Sequence, residues 1–234
     1  MTVPDPAEPV APREAATVVL LRDGADGAGG VETWLLRRVP KIAFAPGMSV
    51  FPGGKVEDSD ALGDAGVSAM AEQLGLSVAH AGAIVAAAIR ETVEEVDVVL
   101  PPDALRPWAR WITPAAEPRR YDTYFFIAGL PEGLNAAAVT SEASHADWIG
   151  VAAALAEYEA GQRPMLPPTI CTLTELLPFG TVAEALAVAG QRVITPVQPQ
   201  IRRAASGALV ADLGNGTVLP LPAEFLTASG RKPS

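Results

Sequence analysis

Between Ala81 and Asp97 the chain reads AGAIVAAAIRETVEEVD, and no other stretch restricts its fold as much. At about 100° per residue, a helix here brings Val85, Ile89, Thr92, Val93 and Val96 to one side. The same turn places Glu91, Glu94 and Glu95 opposite, within an arc of roughly 100°. The apolar side needs a core to pack on. The acidic side is a conflict: like charges at i, i+3 and i+4 cost roughly 0.2–0.5 kcal/mol per pair. They also fall in the last turns, where the helix dipole favours cations. A plain solvated face is the alternative, but such a face mixes Lys with Glu. A divalent cation removes the conflict, since magnesium takes one or two carboxylates together with substrate phosphates.

The rest of the chain alternates extended and helical patterns. Residues 16–22 and 31–38 read as strands on either side of the turn-rich DGADGAGG. A short strand, the turn Pro52-Gly53-Gly54 and another extended piece occupy 48–57. From Asp58 to Gly75 the spacing of Val67, Met70, Ala71 and Leu74 predicts a helix. A second helix begins at Ser77 or His80 and ends near Val96, before Pro101-Pro102. Strands are expected at 108–113 and 120–130, then helices over 148–160 and about 169–189, with a break at Pro178. The closing ALVADLGNGTVLPL reads as a hairpin turning at Gly214-Asn215-Gly216. This order predicts an α/β (α+β) fold with helices on a mixed sheet. The expected organisation is a flexible Pro-rich arm over 1–14, a core over 15–190 with a helical insertion at about 61–82, and an extension over 191–234.

Composition narrows the classes of function. Of the 234 residues, 49% are hydrophobic and 19% charged, as in a globular protein. Cys171 is the single cysteine, which rules out an intramolecular disulfide and favours a cytoplasmic home. The first residues lack a secretory pattern, and no run approaches the roughly 20 apolar residues of a membrane span. With a formal charge of −10 and no basic stripe, nucleic acid is not expected as a partner. A small polyphosphate remains suitable if metal ions bridge the two negative partners.

FPGG upstream and RETVEEVDV on the helix together resemble the Nudix box, G-x5-E-x7-R-E-U-x-E-E-x-G-U. Gly54 stands at the first glycine, and Arg90, Glu91, Glu94 and Glu95 stand at the charged positions. The sequence departs in three places. Asp60 replaces the first Glu, 29 residues rather than seven separate it from Arg90, and Asp97 replaces the helix-ending Gly. Asp tolerates the left-handed conformation common at that cap better than most residues. The segments WLLRRVPKIAFAPGMSVFPGGKVEDSD, RRYDTYFFIAGLP and MLPPTICTLTEL are similar to the CoA-diphosphatase-like branch of the family.

The resemblance implies a Nudix-type αβα sandwich and Mg2+, with Mn2+ as the alternative cofactor. It implies metal ligation by Glu94, Glu95, Glu91 and the Gly54 carbonyl, with Glu91 also able to deprotonate water. Arg90 is expected to pair with a helix carboxylate. Glu142, in SEASHADWI on a loop before a helix, is a candidate acidic ligand or base, or else a surface Glu. Arg38 and Lys41 are candidates for substrate phosphates, with a solvated strand end as the alternative. Tyr121, Tyr124 and Phe126 either stack a base or fill the core. The implied reaction is hydrolysis of a phosphoanhydride in a nucleoside diphosphate linked to another group. CoA or acyl-CoA comes first, ADP-ribose or NADH second, and a non-hydrolysing nucleotide-binding module is the other class. Dimers are frequent in the family, so a homodimer is expected from the resemblance.

Overall fold

The computed structural model describes residues 9–24, 30–39, 45–64, 66–137 and 143–221. The chain enters on β1 (Arg13–Asp23) and β2 (Val31–Arg38), then the short β3 (Ser49–Val50) and β4 (Gly53–Lys55). Helices α1 (Ser68–Leu74) and α2 (Val78–Val96) lead to β5 (Arg106–Ile112), β6 (Tyr121–Gly129) and β7 (Ala143–Gly150). Then come α3 (Val151–Glu159), α4 (Pro167–Leu176), α5 (Val182–Ala189) and β8 (Pro196–Val197). The described residues close with β9 (Gln200–Arg203), β10 (Leu209–Asp212) and β11 (Val218–Pro220).

β1 is central because it carries apolar side chains on both faces, the pattern of a strand covered on each side. Val18 and Leu20 face one core cluster with α1 and α2, whereas Val19 and Leu21 face a second with α3, α4 and α5. β6 splits the same way, Tyr124 and Phe126 to the first side, Phe125 and Ile127 to the second. This double coverage makes the αβα sandwich. Each such buried Val, Leu or Phe contributes about 1.5–3 kcal/mol of burial.

The sheet is mixed, ordered β3-β2-β1-β6-β5-β8, with β4 also on β1 and β7 also on β2. β1 runs parallel to β6 from Arg13↔Tyr121 to Leu21↔Gly129. Its other edge is shared: Leu21–Asp23 pair with β2, whereas Ala15–Thr17 pair with β4. That sharing brings the Gly53-Gly54 turn under α2. A separate three-stranded antiparallel sheet, β11-β10-β9, includes the hairpin across Gly214-Asn215-Gly216.

Three sequence expectations need correction. Arg13 and Glu14, assigned to the arm, are strand residues, because β6 offers a partner along their whole length. The helix expected from Asp58 exists only as Ser68–Leu74. Asp60 instead closes a turn with Glu57, each accepting the other's backbone N–H at 2.8–2.9 Å. The helix expected from 148 starts at Val151, since Trp148 and its neighbours pair with β2 at Trp34↔Trp148. The break at Pro178 separates α4 from α5.

Among the described residues, no single helix is long and apolar enough to cross a membrane. α1 and α2, bent 101° apart, reach that length only as a pair, and most of their apolar residues pack in the core.

Candidate active site

Ser77 caps the N-terminus of α2, its hydroxyl accepting the His80 N–H at 3.2 Å. The helix ends at Asp97, in the left-handed region (φ 58°, ψ 35°), whose N–H donates to the Val93 carbonyl at 3.1 Å. Asp97 therefore does the work of the glycine it replaces. Between these ends the helix packs on β1 and β4, burying Ile84, Val85, Ala88, Thr92 and Val96.

The glycine turn fits against the acidic end of this helix because it carries no side chains. At Gly53 (φ 157°) a Cβ would lie 2.4 Å from the Ala16 carbonyl oxygen and from Thr17 Oγ1. Its N–H donates to Glu95 Oε2 at 2.9 Å. At Gly54 a Cβ would lie 2.3 Å from Glu91 Oε1 and 2.7 Å from Oε2. Only a bare backbone permits that approach. Thr17 holds the turn from β1, its hydroxyl donating to the Pro52 carbonyl at 2.6 Å.

The three glutamates differ in environment. Glu94 is exposed, Glu91 is partly covered, and Glu95 is buried at 9% exposure. The acidic arc is therefore not uniformly exposed: Glu95 is turned toward the glycine turn, where it accepts the Gly53 N–H. Burial pushes the Glu91 carboxyl pKa upward, and the adjacent Arg90 opposes this. A carboxylate so placed is a better proton acceptor near neutral pH than a solvated one.

Arg90 sits at the centre of an ion-pair network. Its Nε and Nη2 donate to Asp60 Oδ1 and Oδ2 at 3.0 and 2.9 Å, a fork on one carboxylate. Nη1 donates to Glu91 Oε1 at 2.8 Å and Glu94 Oε2 at 3.4 Å, and Nη2 also reaches the Lys55 carbonyl at 2.9 Å. The expected helix carboxylates are thus joined by Asp60. The hydrogen bonds from Arg90 hold the Asp60 carboxyl below its ordinary pKa. Asp60 was read only as a departure from the box, and its role required knowing how the insertion folds.

These residues line one cavity of about 1060 Å³. Its wall includes Gly53, Gly54, Arg90, Glu91, Glu94 and Glu95, together with Arg38, Met48, Trp111, Tyr121 and Phe125. Arg38 therefore lines the same cavity as the glutamates. Lys41 and Glu142 lie outside the described residues, and the segment after Glu142 is strand β7 rather than the start of a helix. Tyr124 and Phe126 are core residues, whereas Tyr121 faces the cavity. His80 lies with Nε2 2.6 Å from Glu14 Oε1, and His145 Nε2 is 3.8 Å from Asp147, so neither belongs to the site. Residues of the cavity that the sequence did not mark include Thr17, Trp111 and, from the C-terminal sheet, Ile201 and Ala211. Nothing near them in sequence has a motif that could have signalled this.

The donor set suits a hard cation, being carboxylate oxygens beside a bare glycine backbone. Among the described residues, no group of three or more His, Cys, Asp or Glu is drawn together as a ready-made cage. Magnesium needs none, because it retains waters and takes phosphate oxygens with one or two carboxylates. Glu91, Glu94 and Glu95 would hold it here, where Arg90 now contributes the positive charge to the first two.

Comparison with known proteins gives the family. The model of the NUDIX domain matches residues 11–168, so the chain belongs to the Nudix family. It is 31% identical over 160 residues to the Caenorhabditis elegans protein called nudix hydrolase 7, covering 61% of this chain and 54% of that protein. The chain thus spans about half the length of that relative. The crystal structure of a NUDIX hydrolase from Alicyclobacillus acidocaldarius superposes with a TM-score of 0.62 at 26% identity. That match covers 76% of this chain and 96% of the other.

Proposed function

We propose that this chain hydrolyses a phosphoanhydride bond in a nucleoside diphosphate linked to another group, with CoA or acyl-CoA as substrate and Mg2+ as cofactor. The observation that carries the reading is the packing of Gly54 against Glu91, which sets a partly buried carboxylate into a cavity that also holds Arg38, Glu94 and Glu95. Magnesium, when bound, lowers the pKa of water and offsets the charge of the diphosphate. Glu91 is placed to take the proton from the attacking water. Glu94 and Glu95 supply the carboxylates for the cation, and Arg90, held from behind by Asp60, orients Glu91. Arg38, on the wall of the same cavity, would meet a phosphate oxygen. Water adds to one phosphorus as the bridging P–O bond breaks, giving two products that each end in a phosphate monoester. From CoA these are 3′,5′-ADP, which keeps its 3′-phosphate, and phosphopantetheine.

Support for CoA comes from the branch-like segments around the box, and the cavity of about 1060 Å³ has room for a ligand of that size. A nucleotide-binding module without hydrolysis is less suited to this geometry. The three departures from the box that motivated it, chiefly the Asp97 cap and the long insertion, are accommodated: Asp97 adopts the left-handed cap, and Asp60 grips Arg90 across the insertion. The test is a panel of CoA, acyl-CoA, ADP-ribose and NADH incubated with the protein and magnesium, with products separated by chromatography. Release of 3′,5′-ADP from CoA supports the reading. Turnover confined to ADP-ribose or NADH reassigns the substrate, and no turnover of any member removes the enzymatic reading.

A further inference from the structure

The cavity has a wall that the Nudix box does not supply. Pro199, Ile201, Ala211 and Leu221, all from the C-terminal segment, line the same space as Glu91, Glu94 and Glu95. Ile201 and Ala211 are direct cross-strand partners between β9 and β10, so their side chains share one face of the small sheet. Ala211 also pairs with Leu219, and the two-residue alternation places Leu221 on that face. The N–H of Leu221 donates to the Leu209 carbonyl at 3.1 Å, which fixes it there. Arg202 and Asp212 alternate to the other face, where they form an ion pair at 2.9 Å. Arg203 shares the face of Ile201 by register but is not among the cavity-lining residues, and its Nη1 donates to the Gly207 carbonyl at 3.1 Å. The residues of this sheet that line the cavity, Ile201, Ala211 and Leu221, are apolar.

The sheet is tied to the domain just before this wall begins. β8 pairs in parallel with β5 through Arg110↔Pro196 and Trp111↔Val197, and Pro199 follows two residues later. In the sheet order, β4 and β8 are separated by β1, β6 and β5. Four strand spacings make about 19 Å. The strand from which the wall follows is thus remote from the glycine turn, and none of the wall's four residues is charged. The 61–82 insertion contributes none of the cavity-lining residues among those described. Its α1 instead reaches α5, where Gln73 Nε2 donates to the Ala189 and Arg192 carbonyls at 2.8 and 2.9 Å.

We propose that the apolar face of the C-terminal sheet, centred on Ile201 and Ala211, is the specificity wall of the cleft and receives an acyl chain carried at the far end of the diphosphate substrate. The inference rests on the hydrolase reading above and adds to it a selection for acylated over free thiol substrates. Each methylene buried on such a wall strengthens binding roughly fourfold.

The test measures kcat and KM with magnesium for CoA, butanoyl-CoA and octanoyl-CoA, using wild type, Ile201→Asp and Ile201→Trp. The expected wild-type KM falls at least tenfold from CoA to octanoyl-CoA, with kcat changing little. Ile201→Asp should raise KM for octanoyl-CoA tenfold or more and for CoA less than threefold. Ile201→Trp retains an apolar face but fills the space, so it should also penalise the longest chain most. A wild-type KM independent of chain length overturns the inference while leaving CoA hydrolysis standing, and this comparison needs no variant to fold. Equal loss by the variants on all three substrates overturns it too. Cleavage of ADP-ribose with all three CoA compounds untouched removes both this inference and the CoA reading.

Discussion

Asp60 and Arg90, 30 positions apart, meet in a two-point ion pair of 2.9 and 3.0 Å. The insertion between them leaves that contact intact, and Arg90 passes the constraint on to Glu91 at 2.8 Å. Removing Asp60 should therefore act on catalysis through orientation. Asp60→Ala is expected to lower kcat by about 10–100-fold, the usual scale for partners that orient ligating groups. Asp60→Glu should recover part of the loss, because a carboxylate returns to the guanidinium. Steady-state kinetics at saturating magnesium checks both. Equal activity of Asp60→Ala and wild type would remove the positioning role.

The same pair carries a pH dependence of stability. The Asp60 pKa is depressed in the folded state, so its contribution is fully present above the unfolded value of 3.8. It is lost as pH falls through the folded value. Wild type should thus be more stable than Asp60→Asn at pH 6, and the gap should narrow toward pH 3. Thermal melts of both proteins across this range check it, and a gap that stays constant contradicts the assignment.

Gly54→Ala tests the close approach of the turn to Glu91. The added methyl would overlap the carboxylate by more than an ångström relative to ordinary contact, so Glu91 must move. A displacement of about 1 Å at a reacting group can cost on the order of 100-fold in rate. The expected outcome is that loss in kcat with a circular dichroism spectrum like that of wild type. Unchanged kcat would show that Glu91 is not the base.

The two-sided core gives a separate expectation. Phe126 is fully buried in the central strand β6 between β1 and β5. Phe126→Ala should destabilise the fold by about 3–5 kcal/mol. For a chain of this size, that lowers Tm on the order of 10 °C. A shift under 2 °C would mean that the cluster around α2 is not a tight core.

Cys171 is half-buried on α4, and burial pushes its thiol pKa up to about 11. Thiolate, the reactive form, is therefore scarce at neutral pH. Iodoacetamide at pH 7.5 should modify native protein at least tenfold more slowly than urea-unfolded protein, as followed by mass spectrometry. Equal rates would contradict this placement.

The sequence and structure agree where one local pattern decides the outcome. The apolar spacing of Val85, Ile89 and Val96 defined α2, and the acidic triad and Gly54 singled out in the sequence line one cavity. The order of extended and helical patterns along the chain was enough for a mixed sheet with helices. The failures came where distant partners override local preference. Val67 to Leu74 has helical spacing, yet Asp60 is held in a turn by Glu57 and Arg90, so the helix is shorter. Trp148 reads as helical but pairs with Trp34 on β2. Glu95 lies on the acidic arc of the helix, yet the N–H of Gly53 draws it into a buried position. The C-terminal wall was not legible at all, because Ile201 and Ala211 acquire meaning only when β8 joins the edge of the sheet.

The central claim is that Glu94 and Glu95, with Glu91 beside Gly54, run a magnesium-dependent hydrolysis. The most direct measurement compares wild type with the double variant Glu94→Gln, Glu95→Gln, following 3′,5′-ADP release from CoA in the presence of magnesium. Both amides keep the shape of the side chains and remove the charge that holds a cation. The expected result is rapid release by wild type and a loss of roughly a thousandfold or more in the variant, whose melting curve stays cooperative. Release by the folded double variant at the wild-type rate would contradict the account.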